Sequence, residues 1–282
     1  MLPGIVSIVL VGHIDAPRRQ EYLDAAALGV MFVNMTALSV GFGLASAMDT
    51  LASQAFGASE TKGGRSFERR ALRYLATGAL VLTAAFAVVG VVNWHAGAVL
   101  EALGQPPAVA ELAGVFVRRL IPGIPSLFFY ELVRKILQAQ NVAYPMLAVA
   151  VAANLINCGL GYYLVLMAAG PAPERWLGAA VARNACNVSF SVLLIAYLYA
   201  SGRLEAFCGL VTLSNGRANA GASSEACIYW KDLLKEAWEG IPQFISLGIP
   251  GALQTCFEWY VPQTRLNRSI LFVVDSHPAW IV

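Results

Sequence analysis

The chain has 282 residues, of which 58% are hydrophobic and only 13% are charged, and its mean hydropathy is +0.62. Soluble domains carry about 25% charged residues, so this balance favours an integral membrane protein over a soluble globular domain. The formal net charge of +2, without a basic tract interleaved with aromatic residues, gives no basis for nucleic-acid binding.

Apolar stretches recur along the chain at lengths that suit transmembrane helices, which need about 20 residues. The first is a short stub that resembles the second half of a membrane helix, and the fourth carries Glu131, Arg134 and Lys135. A seventh apolar stretch begins at Ile241. The pattern predicts an all-α, polytopic membrane protein whose first six segments are residues 1–15, 25–48, 74–100, 120–138, 143–168 and 184–202.

Positive charges and loop composition divide the chain further. With the N-terminus inside, the inside loops hold eleven Lys and Arg residues and the outside loops hold six, Arg183 among them, which favours that orientation. We expect a six-helix lobe over 1–203, a loop over 204–240 and an atypical end over 241–282. Within the loop, a small-residue linker precedes an amphipathic helix whose apolar side includes Leu234 and Trp238.

The stretch "SVGFGLASAMDTLASQAFGA", residues 39–58, combines small residues with a carboxylate. Glycines and alanines four residues apart predict close helix packing in lipid. Asp49 falls at the predicted membrane edge, where pairing with a Lys or Arg of a neighbouring loop, or bonding to backbone groups at a helix end, is favoured over transport chemistry. Asn34 falls near the middle of the membrane, where it serves either as a polar contact between helices or as a ligand contact in a cavity.

Other polar residues and prolines in the apolar segments also predict local structure. Pro122 and Pro125 should kink the fourth segment, as a packing feature or a hinge. Glu131 and Lys135 are spaced for an ion pair on one helix. In the fifth segment, two asparagines on one helix face are candidates for contacts between helices: Asn154 and Asn157.

Several motifs in chain order resemble the eukaryotic multidrug and toxic compound extrusion (MATE) transporters. The stretch "VNMTALSVGFGLASAMDTLASQAFGA" is similar to the family's second helix, with Ala37 in place of a usual glycine. "LIPGIP" followed by "YELVRKILQAQNVAYP" resembles the fourth helix, "VAANLINCGLGYYLV" the fifth, and "LGAAVARNACN" the sixth. "GIPQFISLGIPGALQTCFEWY" resembles the approach to the seventh helix, so the likeness spans residues 1 to about 260.

The resemblance implies a secondary antiporter that exports organic cations or other small amphiphiles in exchange for protons or sodium. Glu258 matches a family glutamate proposed to bind the coupling ion or the cationic substrate, and Asn34 matches a position that lines the cavity of the N-terminal lobe. The titratable residue that many members have five positions after that glutamate is replaced here by Gln263. Motif positions and polar or proline residues with expected structural or gating roles are Asp49, Gln54, Pro122, Pro125, Gln138, Gln140, Asn154 and Asn157.

Family members have about twelve helices, so we expect this chain to be a truncated form that requires a second lobe or a dimer, in the plasma membrane or an organellar, for example vacuolar, membrane. An inactive truncated product is an alternative, as is a lipid-linked precursor flippase, although the Asp-Thr-Leu and Leu-Gln-x-Gln motifs argue against the flippase. A seven-helix receptor is disfavoured by the charge bias and the poor seventh segment. The five cysteines lack a C-x-x-C pair and no enzyme motif is present, so we expect no metal site, cofactor or enzymatic activity.

Overall fold

The computed structural model describes the backbone of residues 2–60, 65–168, 172–202 and 222–276. The predicted linker "TLSNGRANAGASS" falls largely outside the described residues. All regular structure in the described ranges is helical, as predicted for an all-α protein. We number the α-helices α1 (Leu2–Gly12), α2 (Arg19–Val33), α3 (Ser39–Ala45), α4 (Ala47–Glu60), α5 (Arg65–Trp94), α6 (Ala96–Ala102), α7 (Pro107–Leu120), α8 (Ile124–Ala139), α9 (Tyr144–Tyr162), α10 (Ala172–Arg175), α11 (Gly178–Ala200), α12 (Ala222–Glu239) and α13 (Ile241–Ser276).

Five helical stretches are long and apolar enough to cross a membrane, and each corresponds to one predicted segment. The sixth prediction, the N-terminal stub, corresponds to a shorter apolar helix over Pro3–Gly12. Several helices extend beyond the uncharged runs, since charged side chains at a membrane edge do not end the backbone hydrogen-bonding pattern. The five stretches are Arg19–Ala58, Arg70–Trp94, Pro107–Ala139, Tyr144–Met167 and Gly178–Ala200.

Three of these stretches change helical pitch, and one of them, Tyr144–Met167, does so at its end, where Tyr163–Met167 form a π-helical turn. Between α2 and α3, residues Asn34–Leu38 form a π-helical turn. Between α7 and α8, residues Ile121–Gly123 form a 3₁₀ turn that contains Pro122 and precedes Pro125. Proline lacks a backbone N–H and clashes with the preceding turn, which explains why the helix is interrupted there.

The small residues of α3 pack as closely as the sequence predicts. A Cβ atom added to Gly41 would lie 2.0 Å from the Phe128 ring, and one added to Gly43 would lie 2.1 Å from Cα of Ala252. On the other side of the same contact, a Cβ on Gly251 would lie 1.9 Å from Oγ of Ser46. The α3 backbone therefore lies directly against α13 on one side and α8 on another, and the packing prediction is confirmed.

Helix α12 packs against α5 through a side that differs from the predicted one. Leu233 and Ala237 are buried, whereas Leu234 and Trp238 are exposed. The Thr77 hydroxyl of α5 donates a hydrogen bond to the Ala237 carbonyl at 3.1 Å. The helix has two apolar sides. Leu233 and Ala237 form the side that faces the protein, and Leu234 and Trp238 form the exposed side, whose large side chains suit a membrane surface.

The last helix is longer than the sequence predicts. We expect Pro262 and the charged residues around it to interrupt a seventh span, but the backbone of α13 is helical as far as Ser276. A proline removes one hydrogen bond and costs about 3 kcal/mol in a helix interior, which weakens a helix without necessarily ending it. Consistent with its polar residues, α13 is not one of the five stretches apolar enough to span a membrane in the described part of the chain.

Candidate ligand cavity

A cavity of about 330 Å³ lies within the lobe, between α1, the α2–α3 region, α8, α9 and α11. Much of its wall is apolar and includes Leu38, Phe42, Leu127 and Phe190. Polar side chains converge on the same space, which is the usual composition of a small-molecule site. The polar lining consists of Asn34, Tyr130, Glu131, Arg134, Arg183 and Asn187.

Asn34 and Arg183 meet across this cavity. Asn34 begins the π-helical turn, a type of irregularity that is frequent at functional sites. The Arg183 guanidinium donates from Nη2 to Oδ1 of Asn34 at 3.1 Å. Arg183 is only 7% exposed, and its Nη1 atom has no hydrogen-bond acceptor among the described residues.

A second charged group in the cavity is an ion pair within α8. Arg134 donates from Nη2 to Oε2 of Glu131 at 2.5 Å, and Glu131 is buried. The predicted pair between Glu131 and Lys135 is therefore wrong. Consecutive helical residues are separated by about 100°, so Arg134 and Lys135 leave α8 in different directions, and only Arg134 turns toward the cavity.

Lys135 instead contacts Asp49 on α4, with 2.6 Å between Nζ and Oδ2. This contact joins two helices outside the cavity lining. It is the type of pairing that the sequence analysis expects for a carboxylate at the edge of the apolar stretch.

The remaining predicted residues lie outside the cavity lining. Gln54 and Gln138 are exposed, and Gln140 is half-buried at the end of α8. Asn154 donates to the Ala150 carbonyl of its own helix at 2.7 Å, and its Oδ1 is buried without a described partner. Asn157 is buried and donates to the Pro3 carbonyl at 3.3 Å, which connects α9 to α1.

Glu258 lies on α13, which packs against α3 and reaches the π-helical turn. Its side chain is exposed and accepts a hydrogen bond from Nε2 of Gln254 at 2.9 Å. The structure thus places Asn34 in the cavity and Glu258 on a separate exposed surface.

Sequence reasoning missed Arg183 as a cavity residue because it assigned that arginine to an outside loop, just before the predicted span 184–202. In the structure the helix begins at Gly178 and Arg183 lies within the membrane-spanning stretch. The preceding residues "LGAAVA" are uncharged and small. They are the signal that could have extended the span to include Arg183.

The sequence model of the MatE family matches residues 1–163. The chain is 30% identical to multidrug and toxin extrusion protein 1 of Danio rerio, covering 92% of this chain and 38% of that protein, and 30% identical to multidrug and toxin extrusion protein 2 of Mus musculus, covering 92% and 39%. The chain therefore spans less than half the length of these relatives.

The fold resembles the crystal structure of the eukaryotic MATE transporter AtDTX14. The two agree with a TM-score of 0.71 and 26% sequence identity, over 92% of this chain and 49% of that one.

Proposed function

Because the chain belongs to the MatE family, we propose that it forms the N-terminal lobe of a secondary antiporter in a multi-pass membrane protein. It exports organic cations or other small amphiphiles in exchange for protons or sodium, together with a second lobe or a second copy. The observation that carries this proposal is Glu258, an exposed carboxylate on a helix that packs against the lobe at α3.

In this mechanism Glu258 binds the cation. Its carboxylate is exposed on α13, which follows the lobe in sequence and packs against α3. An ionised carboxylate attracts a cationic substrate, and protonation of the same group releases that substrate, so binding of substrate and proton exclude each other. An exposed glutamate next to a cavity-forming lobe suits this exchange, because both competing ligands can reach it.

The other predicted residues support the lobe rather than contact the substrate. Asp49 and Asn157 connect helices, and the 3₁₀ turn at Pro122 provides a bend about which α7 and α8 can change their angle. Asn34 contributes an amide oxygen to the cavity.

Ethidium export by cells that lack endogenous efflux pumps tests this proposal. Cells expressing the chain should lower their ethidium fluorescence while a proton gradient is present and stop when an ionophore removes the gradient. Glu258→Gln should abolish export, because the amide neither ionises nor exchanges a proton. Glu101→Gln, at an exposed position on α6, is the matched control and should leave export unchanged.

Export that persists in Glu258→Gln would remove this carboxylate from the mechanism. Export that is insensitive to the ionophore and to a sodium gradient would contradict the antiporter mechanism itself.

A further inference from the structure

The lobe cavity has an uncompensated positive charge. Two guanidinium groups line it, those of Arg134 and Arg183, but only one carboxylate, that of Glu131. Glu131 is already engaged by Arg134 at 2.5 Å. Among the described residues no carboxylate pairs with Arg183, whose one described acceptor is the neutral Asn34 amide.

A buried guanidinium without a counter-charge is unfavourable, because its desolvation is not offset by an attractive partner. Arg183 is more than nine-tenths buried and still has an unpartnered Nη1 atom. Such a group is ready to bind an anion that enters the cavity, since the anion supplies both the missing charge and the missing acceptor.

Nη1 lies close to the backbone of α1. Gly4, which also lines the cavity, lies beside it, and a Cβ added there would come to within 3.2 Å of Nη1. The absence of a side chain at Gly4 lets the Arg183 guanidinium lie against α1 beside the cavity. The cavity lining also provides aromatic surface from Phe42 and Phe190, the latter two turns after Arg183 on α11.

We propose that this cavity binds an amphiphilic monocarboxylate, with the carboxylate on the Arg183 guanidinium and the apolar body against Phe42 and Phe190. The planar guanidinium matches a carboxylate with two parallel hydrogen bonds, and the single excess positive charge matches a single negative one. The cavity volume of about 330 Å³ suits an organic body better than a halide ion. The significance of this site for transport rests on the proposed function, whereas binding itself does not.

The test is ligand-dependent thermal stability of the purified 282-residue chain in detergent, with benzoate as the probe. Benzamide and benzylammonium are neutral and cationic compounds of similar shape, and chloride is a small anion. Benzoate should raise the unfolding temperature in a saturable manner, because a ligand that binds only the folded state stabilises it. The other three should produce a smaller shift or none.

Two variants remove the site in different ways. Arg183→Gln keeps a donor near Asn34 but removes the charge, and should weaken benzoate binding by about tenfold to a hundredfold, as expected for the loss of a hydrogen bond to a charged group. Ala150→Phe leaves every charge in place and fills the cavity, so it keeps the test valid if the arginine variant does not fold. Arg18→Gln, at an exposed arginine outside the cavity, is the matched control and should bind benzoate normally.

A benzylammonium shift equal to or larger than the benzoate shift would overturn the proposal in favour of a cation site at Glu131. An equal shift from chloride, full benzoate binding in both cavity variants, or no benzoate shift in the wild-type chain would also overturn it. If the wild-type chain binds benzoate but does not export ethidium, the antiporter proposal alone is contradicted. Export with no benzoate binding would contradict the carboxylate site alone.

Discussion

The close contact between α3 and α13 predicts that Gly43→Ala lowers the free energy of unfolding. The added methyl group would lie 2.1 Å from the Ala252 Cα and 2.6 Å from its backbone N, whereas ordinary van der Waals contact begins near 3.4 Å. Because the obstructing atoms belong to the backbone, no side-chain rotation relieves the overlap. Helix α13 must move away by roughly 1 Å, and overpacking of this kind costs about 1–3 kcal/mol.

A loss of about 1–3 kcal/mol corresponds to an unfolding temperature lowered by roughly 2–12 °C for a chain of this size. Thermal unfolding of the detergent-purified chain measures it. Gly57→Ala on α4 is the matched control, since its added methyl group meets nothing within 4 Å. Alanine favours a helix over glycine by up to about 1 kcal/mol, so the control should be neutral or stabilised.

Gly41→Ala provides an internal comparison. Its methyl group would overlap the Phe128 ring, whose side chain can shift, so its cost should be smaller than that of Gly43→Ala. Equal unfolding temperatures for Gly43→Ala and wild type would refute the close backbone contact and, with it, the position of α13 against the lobe.

Two further predictions concern ion pairs. Glu131→Gln should destabilise the chain by about 3 kcal/mol, because it leaves Arg134 without its buried partner. The double variant Glu131→Gln with Arg134→Gln should recover most of that loss in thermal unfolding. A double variant as unstable as the single one would contradict a pairwise contact. Asp49→Asn should change the unfolding free energy by less than about 1 kcal/mol, because the Asp49 side chain is 49% exposed, and a larger loss in the same assay would show that its pairing with Lys135 is shielded from water.

The membrane-spanning stretches could be predicted because lipid imposes a minimum apolar length that composition reveals directly. Their ends could not, since the helical backbone continues through charged residues at the membrane edge, as it does at Arg19. The same limitation placed Arg183 in a loop. Arg183 ends an uncharged run in the sequence, but in the fold neighbouring helices bury it. The sequence of its own segment does not show which helices those are.

The partners within the candidate site were less predictable than its location. Asn34 could be placed in the membrane from its position within a span, but its contact with Arg183 joins residues 149 positions apart. Glu131 has two positive neighbours at favourable helical spacing, Arg134 and Lys135. Which of them pairs with Glu131 depends on which side of α8 faces the cavity and which side faces α4. The role of Glu258 stays a prediction that the ethidium export assay addresses, and the orientation across the membrane stays a prediction from the charge bias.

The two glycine contacts between α3 and α13 also constrain motion. Gly43 accommodates Ala252, and Gly251 accommodates Ser46, so each helix has a notch that receives the other. Sliding α13 along its own axis by one turn would bring Leu247 or Thr255 to the place of Gly251 beside Ser46, whereas tilting about the crossing point keeps the glycine there. We therefore expect α13, the helix that carries Glu258, to tilt about its contact with α3 and not to translate along its own axis.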